Sequence, residues 1–236
     1  MDYREVAAPP EIAHLASCAW TLDVGDEPGG WATHVATPDG CVEIIRRVSG
    51  RSIWGSEQPK SFVAGLITRP AQLRLSAGSR FIGLRIRPWT WNALSGTASR
   101  HLIDSWRDLD TLAPALALPE DPLSLISAGL LDPAKHALGK AIVASSSVAD
   151  LVQRSGRSPR WLQRWFEREI GVPPSTYLRL VRFNETFAEL GQISGTLADH
   201  AAAHGFADQA HMAREFREMS GTSAAKAKSR ALGPFL

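Results

Sequence analysis

The sequence predicts an α+β protein with two domains. The N-terminal domain is a β-rich barrel-like or sandwich-like module with flanking helices, and the C-terminal domain is an all-α pair of helix-turn-helix units joined by a long helix. Three observations predict this division. Short alternating apolar runs fill the first hundred positions, which is typical of a small sandwich or barrel. Everything after residue 145 follows the helical period, and that part contains an internal repeat.

Length and composition narrow the classes of protein further. The chain has 236 residues, 44% of them hydrophobic, and a net charge of +2, so it is long enough for two modest cores and is not of the disordered class. The sequence contains no apolar run of about 18 residues, so it does not predict a membrane span. Two cysteines exclude a disulfide framework, and the acidic first residues lack a secretory h-region. We therefore expect a cytoplasmic protein.

The N-terminal strands follow from runs bounded by turn residues. In the last run, Ile82, Leu84 and Ile86 face one side of the strand while Arg85 and Arg87 face the other, as a period of two requires. The runs that predict strands are Cys41–Val48, Ser61–Thr68, Gln72–Ser76 and Arg80–Arg87.

The pattern changes after Pro88. Residues 89–113 are expected to be helical or irregular, and the proline-rich stretch Ala113–Pro122 predicts a linker. Two Asp-Pro pairs, at Asp121 and Asp132, combine a capping residue with proline at the first helical position. They predict helices over about 122–130 and 133–144. The domain boundaries are then 1–112 for a ligand-sensing or dimerisation domain, 113–140 for a helical linker, and 141–232 for the C-terminal domain.

The internal repeat relates residues 147–171 to residues 196–221. The offset is 49 before the central turn, where it aligns Gly156 with Gly205, and 50 after it. Each unit contains a helix, a glycine turn, a second helix and a glycine stop. Glycine allows the turn conformation that a Cβ penalises, and two helices joined this way are typical of a helix-turn-helix.

The second helix of the first unit leaves long polar donors on its outer face, at Arg160, Gln163 and Arg164. Arginine and glutamine make bidentate contacts with guanine and adenine edges. Residues 174–190 form one amphipathic helix of roughly 25 Å, which can place two recognition helices about 34 Å apart on the same face of a DNA duplex. The C-terminal part is also the basic one, with 12 lysines and arginines against 9 acids from residue 141 onward.

Residues from about 141 to 230 resemble the DNA-binding domain of the AraC/XylS transcription regulators. The motifs that carry the resemblance are Ser158–Phe166, Gly171–Pro174, Tyr177–Arg182 and Gly205–Phe216. The resemblance implies that Arg160, Gln163 and Arg164 read bases, with Trp161 adjacent, and that Gln209, His211 and Arg214 do so in the second unit.

The second unit departs from the family pattern. His200 stands where the family prefers a large aliphatic residue, Ala210 is too short to reach a base edge, and Ala224 replaces a usual proline. We therefore expect the first unit to supply most of the base-specific readout, and the second unit to contact mainly phosphates.

The N-terminal region resembles the uncharacterised sensor-type domain found ahead of such DNA-binding domains. The motifs are Cys18–Leu22, Pro38–Ile45 and Gly65–Pro70. Trp20 and Trp54 are candidate ligand contacts, although six early tryptophans are better explained by a core of large side chains. Arg85 and Arg87 are candidates for an anionic ligand. The alternative is a solvated sheet face paired with acids such as Asp39 and Glu43.

These observations predict a sequence-specific DNA-binding transcription regulator that responds to a small-molecule effector. We expect double-stranded DNA as a partner, a possible homodimer, and no enzymatic activity, catalytic residue, cofactor or metal. His200 and His204 are spaced like metal ligands, but packing or solvent explains them better because no third ligand is evident. The alternative is a small-molecule-binding or enzymatic N-terminal module with a degraded, non-specific DNA-binding tail.

Overall fold

The computed structural model describes residues 1–190 and 196–224. The strands are β1 Asp2–Ala7, β2 Ala16–Asp23, β3 Trp31–Ala36, β4 Val42–Ser49, β5 Ser52–Trp54, β6 Ser56–Glu57, β7 Ser61–Ala64, β8 Ala71–Ser76, β9 Arg80–Ile86 and β10 Trp106–Asp108. The helices are α1 Pro88–Ser95, α2 Leu109–Leu112, α3 Pro133–Val143, α4 Val148–Ser155, α5 Pro159–Glu169, α6 Pro174–Glu189, α7 Leu197–Ala203 and α8 Gln209–Ser220.

Two antiparallel sheets form the N-terminal part. The larger has the order β1-β2-β9-β4-β7-β10, and the smaller has the order β3-β8-β5-β6. An apolar layer that includes Trp20, Ile45, Phe62 and Leu75 lies between them. The predicted β-rich module followed by a helical part is therefore confirmed.

Strand β9 is buried on both faces. Ile82, Leu84 and Ile86 belong to a core that the sheet shares with the helices, whereas Phe81 belongs to the layer between the sheets. Arg85 is only 4% exposed. The interpretation of the sheet arginines as a solvated face is therefore wrong for Arg85, because alternation in sequence does not distinguish solvent from a second buried layer.

The segment between sheet and repeat packs onto the large sheet. Asp132 caps α3 by accepting a hydrogen bond from the Lys135 amide at 2.9 Å, which confirms the helix expected from residue 133. The helix expected over 122–130 is wrong. Only a 3-10 turn, Pro122–Leu125, forms there, and the Asp121 side chain makes no cap. Residues 113–132 nevertheless bury three large side chains, Leu118, Ile126 and Leu131.

One apolar core extends from the sheet into the C-terminal helices. Tyr177 of α6 lies at the junction, with its ring 6.0 Å from that of Trp89 in α1 and 5.6 Å from that of Phe166 in α5. The C-terminal helices are thus packed on the N-terminal part. None of the helices within residues 1–190 and 196–224 has the length and apolar character to cross a bilayer.

Candidate DNA interface and barrel cavity

The first helix-turn-helix unit consists of α4 and α5. The Ser147 hydroxyl caps α4 by accepting from the amide of Asp150, and Ser158 caps α5 by accepting from the amide of Trp161. Such caps satisfy amides that have no partner inside the helix. Gly156 follows α4 with a φ of 63°, in the left-handed region that favours glycine. The predicted helix, turn and helix are therefore all present.

The outer face of α5 carries the predicted base readers. Arg160 and Arg164 are exposed, and neither guanidinium forms an ion pair in the part of the chain that the structure describes. Gln163 is half-buried and its amide donates to Glu167. By contrast, Arg154 on α4 is already paired with its neighbour on the preceding turn. Arg160 and Arg164 are thus the arginines of this face that are available to a ligand.

Trp161 lies at the edge of this face. Its ring stacks on that of Trp165, with centroids 6.3 Å apart and an interplanar angle of 13°. The guanidinium of Arg157 lies 4.8 Å from the same ring, within the range of a cation–π contact. Trp161 is half-buried, and its ring contacts lie within the unit.

The second unit repeats this local chemistry. Thr196 and Asp199 form a reciprocal capping box at the start of α7, and Asp208 caps α8 by accepting from the amide of His211. Gly205 lies in the intervening turn with a φ of 70°. The local structure on either side of residues 191–195 therefore agrees with the predicted repeat. The end of the predicted domain, from residue 225, lies outside the described residues.

The predicted base readers on the outer face of α8 include one arginine, where those of α5 include two. Gln209 and Arg214 are exposed, and neither side chain makes a hydrogen bond or ion pair among the described residues. The ring of His211 has both nitrogens engaged inside the unit. Nδ1 accepts from the Ala207 amide at 3.3 Å, and Nε2 lies 3.2 Å from the Glu215 carboxylate.

A buried carboxylate fixes α8 to α6. Glu215 is 4% exposed and accepts from both Arg179 and Arg182 at 3.0 Å. Arg179 also pairs with the exposed Glu218. This cluster is not among the residues predicted from the sequence. Its signal was available, because arginines three apart on one helix share a face and Glu215 lies within the apolar stripe of α8.

The two histidines with metal-like spacing have protein partners. His200 is buried and its Nε2 donates to the carbonyl of Thr186 at 3.0 Å. His204 lies 3.2 Å from a carboxylate oxygen of Glu189. Both contacts connect α7 to the end of α6, so these histidines position the second unit.

Side chains of the N-terminal part contact the end of α5. The Asn92 amide donates to the Glu169 carbonyl at 3.2 Å, and the Ser99 hydroxyl donates to the same carbonyl at 2.8 Å. The Arg100 guanidinium donates to the Arg168 carbonyl at 2.9 Å. Carbonyls in the last turn of a helix have no partner within it. The recognition helix of the first unit is therefore capped by another part of the fold.

A cavity lies between the two sheets of the barrel. It consists of two adjoining spaces of about 60 Å³ each, and both are lined by Glu43 and Gln58. Arg85 pairs there with Asp39 at 2.8 Å, with Glu43 at 2.7 Å and with Glu5 at 3.5 Å. Burial alone lowers the pKa of Arg85, but its acidic neighbours outweigh this and raise the pKa well above its usual value. Burial also raises the pKa of Glu43.

Three of the four predicted ligand residues reach this cavity. Trp54 lines the first space together with Arg85, and Trp20 lines the second. Arg87 does not line either space. Its guanidinium lies 3.9 Å from the Cys41 sulfur and close to Tyr177 of α6. Gln58 was missed, because nothing in its sequence context indicates that the side chain turns inward.

The segment 39–41 joins the cavity wall to α6. Asp39, which pairs with Arg85, accepts a hydrogen bond from the Cys41 amide at 2.9 Å. Between them, Gly40 has a φ of 76°. A Cβ on Gly40 would lie 2.9 Å from the Val181 side chain and 3.6 Å from the Tyr177 ring. The wall of the cavity and the helix between the two units are thus in direct contact.

Two family models match the chain. Residues 151–230 match a helix-turn-helix domain of AraC type, and residues 4–107 match a domain of unknown function, DUF6597. The chain carries an AraC-type DNA-binding domain. It is therefore a DNA-binding transcription regulator, and its AraC-type domain contains the two units described above.

Solved structures with similarity to the chain include three of interest. An AraC-type regulator from Chromobacterium violaceum is 23% identical, with 41% of this chain and 92% of that chain covered and a TM-score of 0.38. ToxT from Vibrio cholerae is 9% identical, with 99% and 100% covered and a TM-score of 0.49. ToxT bound to an unsaturated fatty acid is 12% identical, with 90% and 95% covered and a TM-score of 0.47. Comparison with curated protein sequences gives no match.

Proposed function

We propose that the protein binds specific DNA sequences mainly through α5 of its AraC-type domain, and that a small molecule in the barrel cavity regulates this binding. In this proposal the protein is not an enzyme. Arg160, Gln163 and Arg164 read bases in one major-groove segment. Gln209, His211 and Arg214 lie over the next segment, where Arg214 contacts phosphate.

The free arginines of α5 are the observation that carries the DNA-reading half of this proposal. Arg160 and Arg164 are exposed, one turn apart, and without an ion-pair partner among the described residues. A guanidinium that is not neutralised keeps its donors for guanine edges and phosphates. On α8, Arg214 is the one arginine among the predicted base readers, and His211 is bonded on both nitrogens within the described residues. This difference supports a larger share of readout for the first unit.

The regulatory half rests on the contacts between cavity and helices. Asp39 takes part in the cavity ion pairs, and the adjoining Gly40 packs on Val181 of α6. Asn92 and Ser99 bond to the end of α5. A ligand that shifts the cavity wall therefore changes surfaces on which the DNA-binding helices rest, and differential contacts of this kind are what couples two sites.

Selection of duplexes from random DNA with the full-length protein, followed by affinity measurements at several salt concentrations, tests the DNA-reading half. Arg164→Ala should weaken binding to the selected duplex by about 1–3 kcal/mol, roughly 5- to 150-fold in Kd. Arg164→Lys keeps the charge but not the bidentate fork. It should relax the preference at one base pair and leave the salt dependence unchanged.

Arg107→Ala is the matched control, since it removes one exposed arginine in β10, outside the DNA-binding units. Its Kd should change by less than about twofold. If Arg164→Ala bound the selected duplex as tightly as the unchanged protein, the assignment of α5 would be wrong. Binding with no sequence preference would instead favour the alternative of a non-specific tail.

A further inference from the structure

Gln58 carries a buried side-chain amide in the wall of the cavity. It is 1% exposed, and neither its side-chain nitrogen nor its oxygen has a hydrogen-bond partner among the described residues. Its backbone is fixed, because the amide donates to the Ser52 carbonyl at 2.9 Å. The Ser52 hydroxyl, also 1% exposed, is likewise unbonded there. Buried polar groups are nearly always bonded, so an unbonded pair facing a cavity points to a missing partner.

The charges around this cavity favour a cation over an anion. Each nitrogen of the Arg85 guanidinium is already paired: Nε with Asp39 and Glu43, one terminal nitrogen with Glu43, and the other with Glu5. Carboxylates of this protein therefore already compensate the charge of the guanidinium. Two carboxyl side chains of the lining face one guanidinium, so acidic groups outnumber basic ones in the described lining. His34, which lines the second space, stays neutral because burial lowers its pKa to about 4.

The rest of the lining favours an organic cation over a metal ion. Apolar and aromatic side chains surround the carboxylates, among them Trp54, Phe62 and Leu73. Aromatic faces attract ammonium groups, whereas a metal ion needs several oxygen or nitrogen ligands. No cluster of three or more potential metal ligands occurs in the described ranges. The two spaces of about 60 Å³ restrict the ligand to a compact molecule.

We propose that the barrel cavity binds a compact organic cation, an alkyl or aryl ammonium compound. The ammonium group contacts the carboxylates of Asp39 and Glu43, the Gln58 amide oxygen accepts one of its hydrogen bonds, and the hydrocarbon part packs against Trp54 and Phe62. This ligand class makes the proposed function more specific. Only the regulatory effect of the ligand rests on that proposed function, because binding to the cavity does not itself require DNA. Arg85, a candidate for binding an anion on the sequence alone, instead positions the two carboxylates.

Calorimetric titration of the full-length protein with three probes of matched size tests the ligand class. The probes are isobutylammonium, isobutanol and isobutyrate. Isobutylammonium should bind, with a Kd lower than that of isobutanol by about tenfold or more, and isobutyrate should give no heat. Equal binding of the alcohol, tighter binding of the carboxylate, or no binding by any member of a series from methylammonium to benzylammonium would overturn the proposal.

Gln58→Leu locates the site. Replacing an unbonded amide by an apolar side chain of similar size removes a desolvation cost, so the melting temperature should stay equal or rise while the ammonium affinity falls about tenfold. Gln72→Leu, on the exposed side of β8, should leave binding unchanged. If Gln58→Leu retained the affinity, the cavity would not be the site.

A parallel titration of the selected DNA duplex with and without isobutylammonium separates this inference from the regulatory proposal. Ammonium binding with unchanged DNA affinity would leave the cation site standing and refute its effector role. A DNA affinity that responds to other small molecules, with no ammonium binding, would refute the cation site alone.

Discussion

The two helix-turn-helix units share a local design but differ in what secures the recognition helix. The end of α5 is bonded by Asn92 and Ser99, which belong to the N-terminal part. The side of α8 is secured by Arg179 and Arg182 of α6, through the buried Glu215. The first unit is thus tied directly to the part that contains the cavity.

This difference supports the proposed division of function between the two copies of the motif. A repeat of sequence predicts equal helices, caps and turns, and these are found. Specialisation enters through the contacts around each copy, which the repeat does not encode. In our proposal α5 both reads bases and receives the regulatory contacts, because it is the second helix that is bonded to the N-terminal part.

The largest effect expected from this comparison concerns two equivalent phenylalanines. Phe166 and Phe216 are both 0% exposed, and a change to alanine in such a site costs about 3–5 kcal/mol. Phe166→Ala should lower the stability of the entire chain, because Phe166 packs on Tyr177 at the shared core. Phe216→Ala should mainly loosen α7 and α8, since its ring neighbours are Phe183 and Phe187 of α6. Thermal unfolding combined with hydrogen exchange distinguishes the two. Equal loss of protection in the barrel strands of both variants would contradict the comparison.

A smaller effect is expected at the ion cluster of the second unit. Glu215→Gln removes the buried charge that faces Arg179 and Arg182, and should lower stability by about 1–3 kcal/mol, since both arginines remain partly solvated. Glu218→Gln is the matched control: its carboxylate is exposed, so the loss should stay below about 1 kcal/mol. Urea unfolding of both variants measures the difference. A Glu218 variant that is the less stable of the two would show that burial of Glu215 is not what matters.

The smallest effect concerns the contact that only α5 receives. Ser99→Ala removes one donor to the Glu169 carbonyl and should cost about 1 kcal/mol, with faster amide exchange in the last turn of α5. Ser95→Ala provides the control, because the Ser95 hydroxyl donates to the Trp91 carbonyl within α1. This variant should leave amide exchange in α5 unchanged. Unaltered exchange in the Ser99 variant would mean that this hydrogen bond does not secure the recognition helix.

The sequence predicted the C-terminal part well because its signals are local. The offset between units, the capping residues Ser147 and Ser158, and the glycine at 156 each act within a few positions, so the chain displays them directly. The helix predicted to begin after Asp132 is confirmed for the same reason, because its capping signal is local. Asp121 has the same dipeptide, but its side chain does not cap and the turn stops at Leu125.

The barrel cavity was less predictable because it depends on contacts distant in sequence. The pairing of Arg85 with Asp39 and Glu43 was among the alternatives, but its burial was not, since a second layer covering β9 is a property of the whole fold. Gln58 gave no signal. The base-reading roles of Arg160, Gln163 and Arg164 remain predictions, as do the domain boundaries.

The shared core has a consequence for how the protein can be divided. Trp89, Phe166 and Tyr177 pack together across the junction, and Gly139 of α3 lies against the Trp89 indole. Cutting the chain anywhere between residues 113 and 147 would expose an apolar surface on both fragments, and such surfaces promote aggregation. A DNA-binding fragment made by such a cut would need polar substitutions on the exposed apolar face before it could be used as an independent domain.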